Sequence, residues 1–284
     1  MSQMQRIAIV SDSHGNATAL AAVIADARQM GADTFLSVGD LTMRGPSPQA
    51  CIDLLRQVNT QTWVLGNHEQ TYADLNTTDK VPLKKPKSIM SVVQSAYDKN
   101  DMDAATYRFL ATLPLKQTLT LENVTMDVFH AAPDQTHGVH VQATDKQRYF
   151  NALLEDSNSD LAIYGHIHQQ LLRWTTDGRP IINAGTVGLP NARHILLQDQ
   201  RAEYAVLTLD NGKLCGLDFR HVAYNIDHEL EIARHKNLPY YELYKEALTT
   251  GQYAYTQEKV AAQNQKHHYK HLAKQFLKQK TFLF

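Results

Sequence analysis

The sequence predicts an α/β protein organised around a mainly parallel sheet. Three observations point there: strand and helix patterns alternate through the first hundred residues, every apolar strand discharges into polar or charged residues, and the second half is rich in short strands joined by Gly- and Asn-containing turns. Strands separated by single helices form right-handed βαβ units. Sheets of that kind present their ligand sites at the carboxyl ends of the strands.

Taken in order, "RIAIVSD" from Arg6 is an apolar strand ending in polar residues. "NATALAAVIADARQM" follows as a helix, with Asn16 as N-cap and Leu20, Val23, Ile24 and Ala27 at helical spacing. "TFLSVGD" is a second strand, "SPQACIDLLRQV" a helix, and "TWVLGNH" a third strand. Residues 87–113 carry two helical stretches outside the alternation. "VTMDVFHAAP" and "DLAIYGHIH" resume it, and "RPIINAGTVGLP", "EYAVLTLD" and "KLCGLDFRHVAYN" complete a β-rich half. No repeat, linker or low-complexity segment interrupts 1–225, which reads as one domain; 226–284 reads as a helical extension. In its tail Lys266, Lys270, Lys274 and Lys278 recur every four residues beside an apolar stripe of Tyr269, Leu272, Ala273 and Phe276. That pattern predicts a helix docked by its stripe with lysines outward.

Composition narrows the function classes. With 28 basic against 29 acidic side chains in 284 residues, no general pull toward nucleic acid or anionic membrane is expected. No apolar run reaches the roughly 18 residues of a spanning helix, and the amino-terminal residues lack the regions of a signal peptide. The two cysteines, Cys51 and Cys215, lie in apolar-rich segments and read as buried reduced thiols, which places the protein in the cytoplasm.

The strand ends collect Asp12 and His14, Asp40, Asn67 and His68 with Glu69, His130, and His166 with His168. Singly, each has an ordinary reading: a capping turn for Asp12 and His14, a turn residue for Asp40, a satisfied core histidine for His130. Jointly they assemble carboxylate oxygens and imidazole nitrogens, a mixture that suits Zn, Mn or Fe better than a thiolate site or an oxygen-only calcium cage. The set is too large for one ion. Two ions sharing a bridging carboxylate accommodate it and form a two-metal clamp for phosphoryl hydrolysis.

These five blocks, in this order, resemble the signature of the calcineurin-like metallophosphoesterases, over about residues 6–190. The resemblance implies a sandwich of two mixed sheets flanked by helices, with a dinuclear site at the carboxyl edge. It implies Asp12, His14, Asp40 and His168 at one metal and Asp40, Asn67, His130 and His166 at the other, with Asp40 as bridge. His68 matches the histidine beside the leaving-group oxygen. "NAGTVGLP" is similar to a loop of bacterial members, with Thr186 in place of Ser. The implied activity is phosphoester hydrolysis by a metal-bridging hydroxide. Manganese or iron is the leading expectation, and zinc, nickel or magnesium also suit the ligands.

"GDLTMRGPSP" resembles the Gly-Asp-x-x-Asp-Arg-Gly block of protein phosphatases and diadenosine tetraphosphate hydrolases, which implies that Arg44 binds substrate phosphate. Met43 stands where that block has the aspartate that orients the histidine, although "GNHE" with Glu69 is a form the protein phosphatases share. The expected substrate is small and phosphorylated: a nucleotide diester or a dinucleoside polyphosphate. Lys80, Lys84, Lys85 and Lys87 read either as a solvated loop or as a phosphate-collecting rim. The alternatives are a serine/threonine phosphoprotein phosphatase or phosphomonoesterase, a nuclease, and a non-catalytic scaffold. Retention of every ligand and of His68 disfavours the scaffold.

Overall fold

A computed structural model describes residues 4–77, 81–192 and 194–279. Two five-stranded mixed sheets lie face to face. The first uses β1 (Gln5–Val10), β2 (Thr34–Ser37), β3 (Thr60–Thr62), β9 (Ala202–Asp210) and β10 (Lys213–Val222), in the order β10-β9-β1-β2-β3. The second uses β4 (Lys116–Leu121), β5 (Val124–Phe129), β6 (Leu161–Tyr164), β7 (Gln170–Trp174) and β8 (Pro180–Ala184), in the order β4-β5-β6-β8-β7. Central pairs, β1 with β2 and β5 with β6, are parallel; outer pairs such as β9 with β10 and β4 with β5 are antiparallel.

The strand sequences follow from burial on both faces. Ile7, Ile9, Leu36, Val38, Met126, Val128, Leu161 and Ile163 fill the space between the sheets. The alternate residues Ala8, Val10 and Phe35 instead meet α1 (Ala17–Gln29) and α2 (Pro48–Arg56), and Phe129, Ala162 and Tyr164 meet α6 (Gln147–Ala152). A strand covered on both sides reads as a continuous apolar run, and each large side chain so buried contributes about 1.5–3 kcal/mol. Asn16 caps α1 through its side chain, which accepts from Ala19 N–H.

Several expectations change. The third strand ends at Thr62, and α3 (Asn67–Thr77) begins at Asn67, so Asn67 and His68 sit in a helical first turn. That turn is made of polar site residues, so it lacks the apolar spacing that marks a helix. Strands β4 and β7 were not legible because they are sheet edges whose side chains are only half-buried or exposed. Cys215, on β10, is exposed; Cys51 is buried, and both are free. The alternation on an edge strand leaves Cys215 on the solvent side.

The two helical stretches are α4 (Pro86–Asp101) and α5 (Ala104–Ala111). Beyond the sheets follow α7 (Ile226–His235), α8 (Tyr241–Thr250), α9 (Gln257–Lys266) and α10 (Tyr269–Gln279). They bury Leu230, Leu243, Tyr244, Leu248, Val260 and Ala273 against Leu75 of α3 and Ile89, Met90 and Val93 of α4. The tail is broken between α9 and α10, where His268 has a φ of 54°. Tyr269 and Ala273 are buried and all four lysines are exposed, but Leu272 is 48% exposed and leaves the stripe. Residues 280–284, with the terminal "TFLF", and Lys80 lie outside the described residues. No helix among the described residues is long and apolar enough to cross a membrane.

Candidate metal centre

The strand-end residues converge in one place. Asp12 and His14 follow β1, Asp40 follows β2, Asn67 and His68 open α3, His130 follows β5, and His166 and His168 lie in the turn after β6. Asp12, His14, Asp40, His68 and His130 are buried; Asn67, His166 and His168 are half-buried. The backbone is bent to bring them there. Asp12, His14, Asp40, His166 and His168 all have φ between 49° and 71°, a left-handed region that costs non-glycine residues energy and clusters at functional sites. Gly66 and Gly165 serve close approach: a Cβ on Gly66 would lie 2.2 Å from Asp40 N, and one on Gly165 would lie 2.2 Å from Ser11 Oγ.

The hydrogen bonds decide where the lone pairs point. Nδ1 of His130 lies 2.8 Å from the Val38 carbonyl, Nδ1 of His168 lies 2.7 Å from the Leu189 carbonyl, and Nδ1 of His14 lies 3.4 Å from the Thr42 carbonyl. Each Nδ1–H donates to its carbonyl, which turns each Nε2 inward, where it offers a lone pair once a cation displaces any proton there, the outer support that metal-ligating histidines use. Nε2 of His14 and His168 then face each other at 3.0 Å, with Asp12 Oδ1 3.1 Å from His168. On the other side Asn67 Oδ1 lies 2.8 Å from His166 Nδ1 and 3.3 Å from His130 Nε2, and Asp40 Oδ2 lies 3.4 Å from His130 Nε2. Asp12 Oδ1 is buried without a hydrogen bond. Acceptors gathered so closely need positive charge between them, either protons or cations.

The acid–base properties express the same need. Burial alone pushes His130 down, but the Asp40 carboxylate outweighs it and lifts His130 to about 10. Burial also opposes ionisation of Asp12, yet the His168 imidazole holds it down at about 2. His14, at about 3, is lowered by burial and then by His168; His166, at about 4, by burial and then by His130. Metal ions and protons compete for such nitrogens. The atoms fit divalent cations: Asp12, His14 and His168 form one group within 4.8 Å, and Asp12, Asp40 and His130 form another. Asp40 also groups with His14 and His68, so it faces both sides.

His68 differs from its neighbours. Its Nε2 is 3.7 Å from Asp40 Oδ2 and 3.4 Å from a guanidinium nitrogen of Arg44, but its buried Nδ1 has no partner. No carbonyl fixes it as those of Val38 and Leu189 fix His130 and His168. Met43, in place of the orienting aspartate, is buried. Arg44 is held by Gln94 and stacked on the Tyr255 ring at 4.8 Å.

Two buried acids build this floor: Glu69, which the sequence marks without a role, and Asp98, which it does not mark. The Glu69 carboxylate accepts from the backbone N–H of Asp40, Leu41, Thr42 and Gly66 and from the Thr42 hydroxyl. Asp98, on α4, accepts from Met43 N–H at 3.0 Å and from the Tyr72 hydroxyl at 2.5 Å. Together they latch the loop in which Asp40, Met43 and Arg44 all have positive φ. The signal for Glu69 was its place beside His68; Asp98 had none. Thr186 is a brace, donating to the Asp12 carbonyl and accepting from Leu189 N–H.

Above the floor opens a cleft of about 1190 Å³, lined among others by Asn67, His68, Arg44, Lys87, His137 and Tyr253. Of the expected lysine rim, Lys87 lines the cleft, while Lys84 and Lys85 are exposed. His140 stacks on Tyr149.

Two face-to-face mixed sheets, with oxygens and imidazoles gathered at the strand ends, define a protein of the metal-dependent phosphoesterase class. Residues 5–212 match the calcineurin-like phosphoesterase superfamily domain, and the chain belongs to that superfamily of hydrolases. An uncharacterised protein of Methanocaldococcus jannaschii is 26% identical over 200 residues, covering 65% of this chain and 76% of that one. A metallophosphoesterase from Sphaerobacter thermophilus shares the fold at a TM-score of 0.65 and 24% identity, over 88% of this chain and 100% of that one. A hypothetical protein from Pyrococcus horikoshii OT3 does so at 0.70 and 17%, over 87% and 98%.

Proposed function

We propose that this hydrolase cleaves phosphodiester or phosphoanhydride bonds of nucleotides, dinucleoside polyphosphates included, with two metal ions held by Asp12, His14, Asp40, Asn67, His130, His166 and His168. The observation that carries this reading is the ring of lone pairs around Asp40 at the floor of a cleft lined by Arg44 and Lys87. In it Asp12, His14, Asp40 and His168 would hold one ion and Asp40, Asn67, His130 and His166 the other. Manganese or iron is the favoured pair. When bound, such ions supply Lewis acidity toward phosphoryl oxygens and acidify water.

The chain's own groups do the rest. Arg44, with its guanidinium fixed by Gln94 and Tyr255, offers its remaining N–H donors to a non-bridging phosphoryl oxygen. His68 holds a proton for the departing oxygen, a role supported by its Nε2, which lies beside Arg44 and Asp40 in the lining of the cleft. Absence of an orienting carboxylate on His68 weighs against the phosphoprotein phosphatase reading. The two free cysteines support a reducing, cytoplasmic setting.

The test is a hydrolysis panel on metal-stripped and reloaded protein: aryl monoesters, aryl diesters, cyclic nucleotides, dinucleoside polyphosphates and a phosphoserine peptide. A nucleotide diester or anhydride is expected to lead, with Arg44→Ala raising KM. Greater efficiency on the phosphopeptide than on any nucleotide would overturn the substrate assignment.

A further inference from the structure

We infer that the wall of the cleft built by the helical extension and the start of α4 is a subsite for a phosphorylated aromatic leaving group, a nucleoside phosphate, with Tyr253 taking the ring and Lys87 the phosphate. The inference rests on the proposed function for what happens at the floor and adds which part of the chain reads the leaving group.

The wall is tied to the site from both sides. Gly251 ends α8 with a φ of 70°, and a Cβ there would lie 2.9 Å from the Asp199 carbonyl oxygen. Its own carbonyl accepts from Ala192 N–H at 3.1 Å, and Gln252 bridges Ala192. Ala192 lies three residues beyond Leu189, whose carbonyl orients His168. Gln252 and Tyr253 are thereby held in the lining of the cleft.

From the proposed proton donor a continuous path leads outward along this wall. His68 lies 3.4 Å from Arg44, Arg44 stacks on Tyr255, the Tyr255 and Tyr253 rings are 6.2 Å apart, and the Tyr253 hydroxyl is 2.7 Å from Lys87 Nζ. Tyr255 is buried, but Tyr253 is 39% exposed, so its ring is available to a ligand. Lys87 stands in the first turn of α4, with Ser88 and Ser91 lining the cleft beside it. Its ammonium keeps further donors beyond the one that meets Tyr253. A cleft of about 1190 Å³ is far larger than a single phosphate needs and exceeds the usual range for small-molecule sites. A flat ring, a cation and several hydroxyl and amide groups in the same cleft as His68 fit a base, a second phosphate and a ribose.

The experiment has a binding arm and a hydrolysis arm on the full chain. Calorimetry compares adenosine monophosphate with ribose 5-phosphate, which share the phosphate but differ in the base. The nucleotide is expected to bind about tenfold tighter to the wild type. Tyr253→Leu should abolish that preference and Tyr253→Trp should keep it; equal binding of both ligands to the wild type overturns the ring subsite. In the hydrolysis arm, Lys87→Met should lower the kcat/KM ratio of diadenosine tetraphosphate over nitrophenyl phosphate about tenfold or more, and Lys87→Arg should restore it. An unaltered ratio in a variant with native circular dichroism overturns the phosphate subsite. A base preference in a metal-loaded protein that hydrolyses no phosphoester would sustain the ring subsite and sink the proposed reaction instead.

Discussion

The floor and the wall of the cleft are built on opposite principles. At the floor, Asp12, His14, Asp40, His166 and His168 are pinned in left-handed backbone conformations, and two buried acids latch the loop after β2. The wall is the tail end of an ordinary amphipathic helical array, with Asn225 and Thr256 as side-chain N-caps, Gly251 as C-cap, and a shared apolar core with α3 and α4. Left-handed residues are packed most densely where acceptors must face one another; in the array they are confined to the joints between helices, at Asn237, Tyr240 and His268, and the packing around each sustains its cost. Chemistry therefore has little tolerance at the floor, while the wall tolerates exchange of side chains.

The largest effect expected from this difference is at Asp40. Asp40→Asn should lower metal content at both positions, read by elemental analysis of the purified protein, and reduce turnover to background. Full metal occupancy with normal rates would falsify Asp40 as the bridge. Next comes His68→Ala, expected to retain both metals and lose about 10²–10⁴-fold in turnover. The loss should shrink for nitrophenolate, which leaves without a proton; equal losses for aryl and alkyl leaving groups would count against a leaving-group acid.

A smaller effect concerns the latch. Burial pushes the Asp98 carboxyl from the usual 3.8 up to about 8, despite the hydrogen bond from Tyr72. The native state then keeps a proton that the unfolded state releases. This contribution is fully present below about pH 4 and is lost as pH rises toward about 8, at no more than about 1.4 kcal/mol per pH unit. Asp98→Asn, which can still accept from Met43 N–H and Tyr72, should unfold with a flatter pH profile across that window. Parallel profiles for the two proteins would mean that Asp98 is ionised in the fold. The smallest effect is at Leu272, whose half-exposure predicts that Leu272→Ser changes stability by no more than about 0.5 kcal/mol in urea unfolding. A loss of 2 kcal/mol or more would restore it to the apolar stripe.

Much of the architecture was legible in the sequence because the central strands are covered on both faces. Ile7 and Ile9 face one layer and Ala8 and Val10 another, so β1 stands out as an apolar run and the residues that follow it stand out as polar. The same contrast marks Asp40, His130, His166 and His168. Convergence could be inferred from the rule that such sheets gather ligands at the carboxyl ends of their strands, and from the resemblance; the distances needed the fold. Edge strands β4 and β7 and helix α3 escaped notice because half-buried edges and a polar first turn carry no strong period. The places of Glu69, Asp98 and Tyr253 were decided by tertiary structure alone. Glu69 reaches backbone donors nearly thirty residues earlier, Asp98 reaches Met43 from another helix, and Tyr253 enters the cleft from a segment that the sequence set apart as an extension. Local pattern records which way a side chain must face to be buried or wet; which distant backbone or ring it meets depends on how helices dock, and that is not written in any period of the chain.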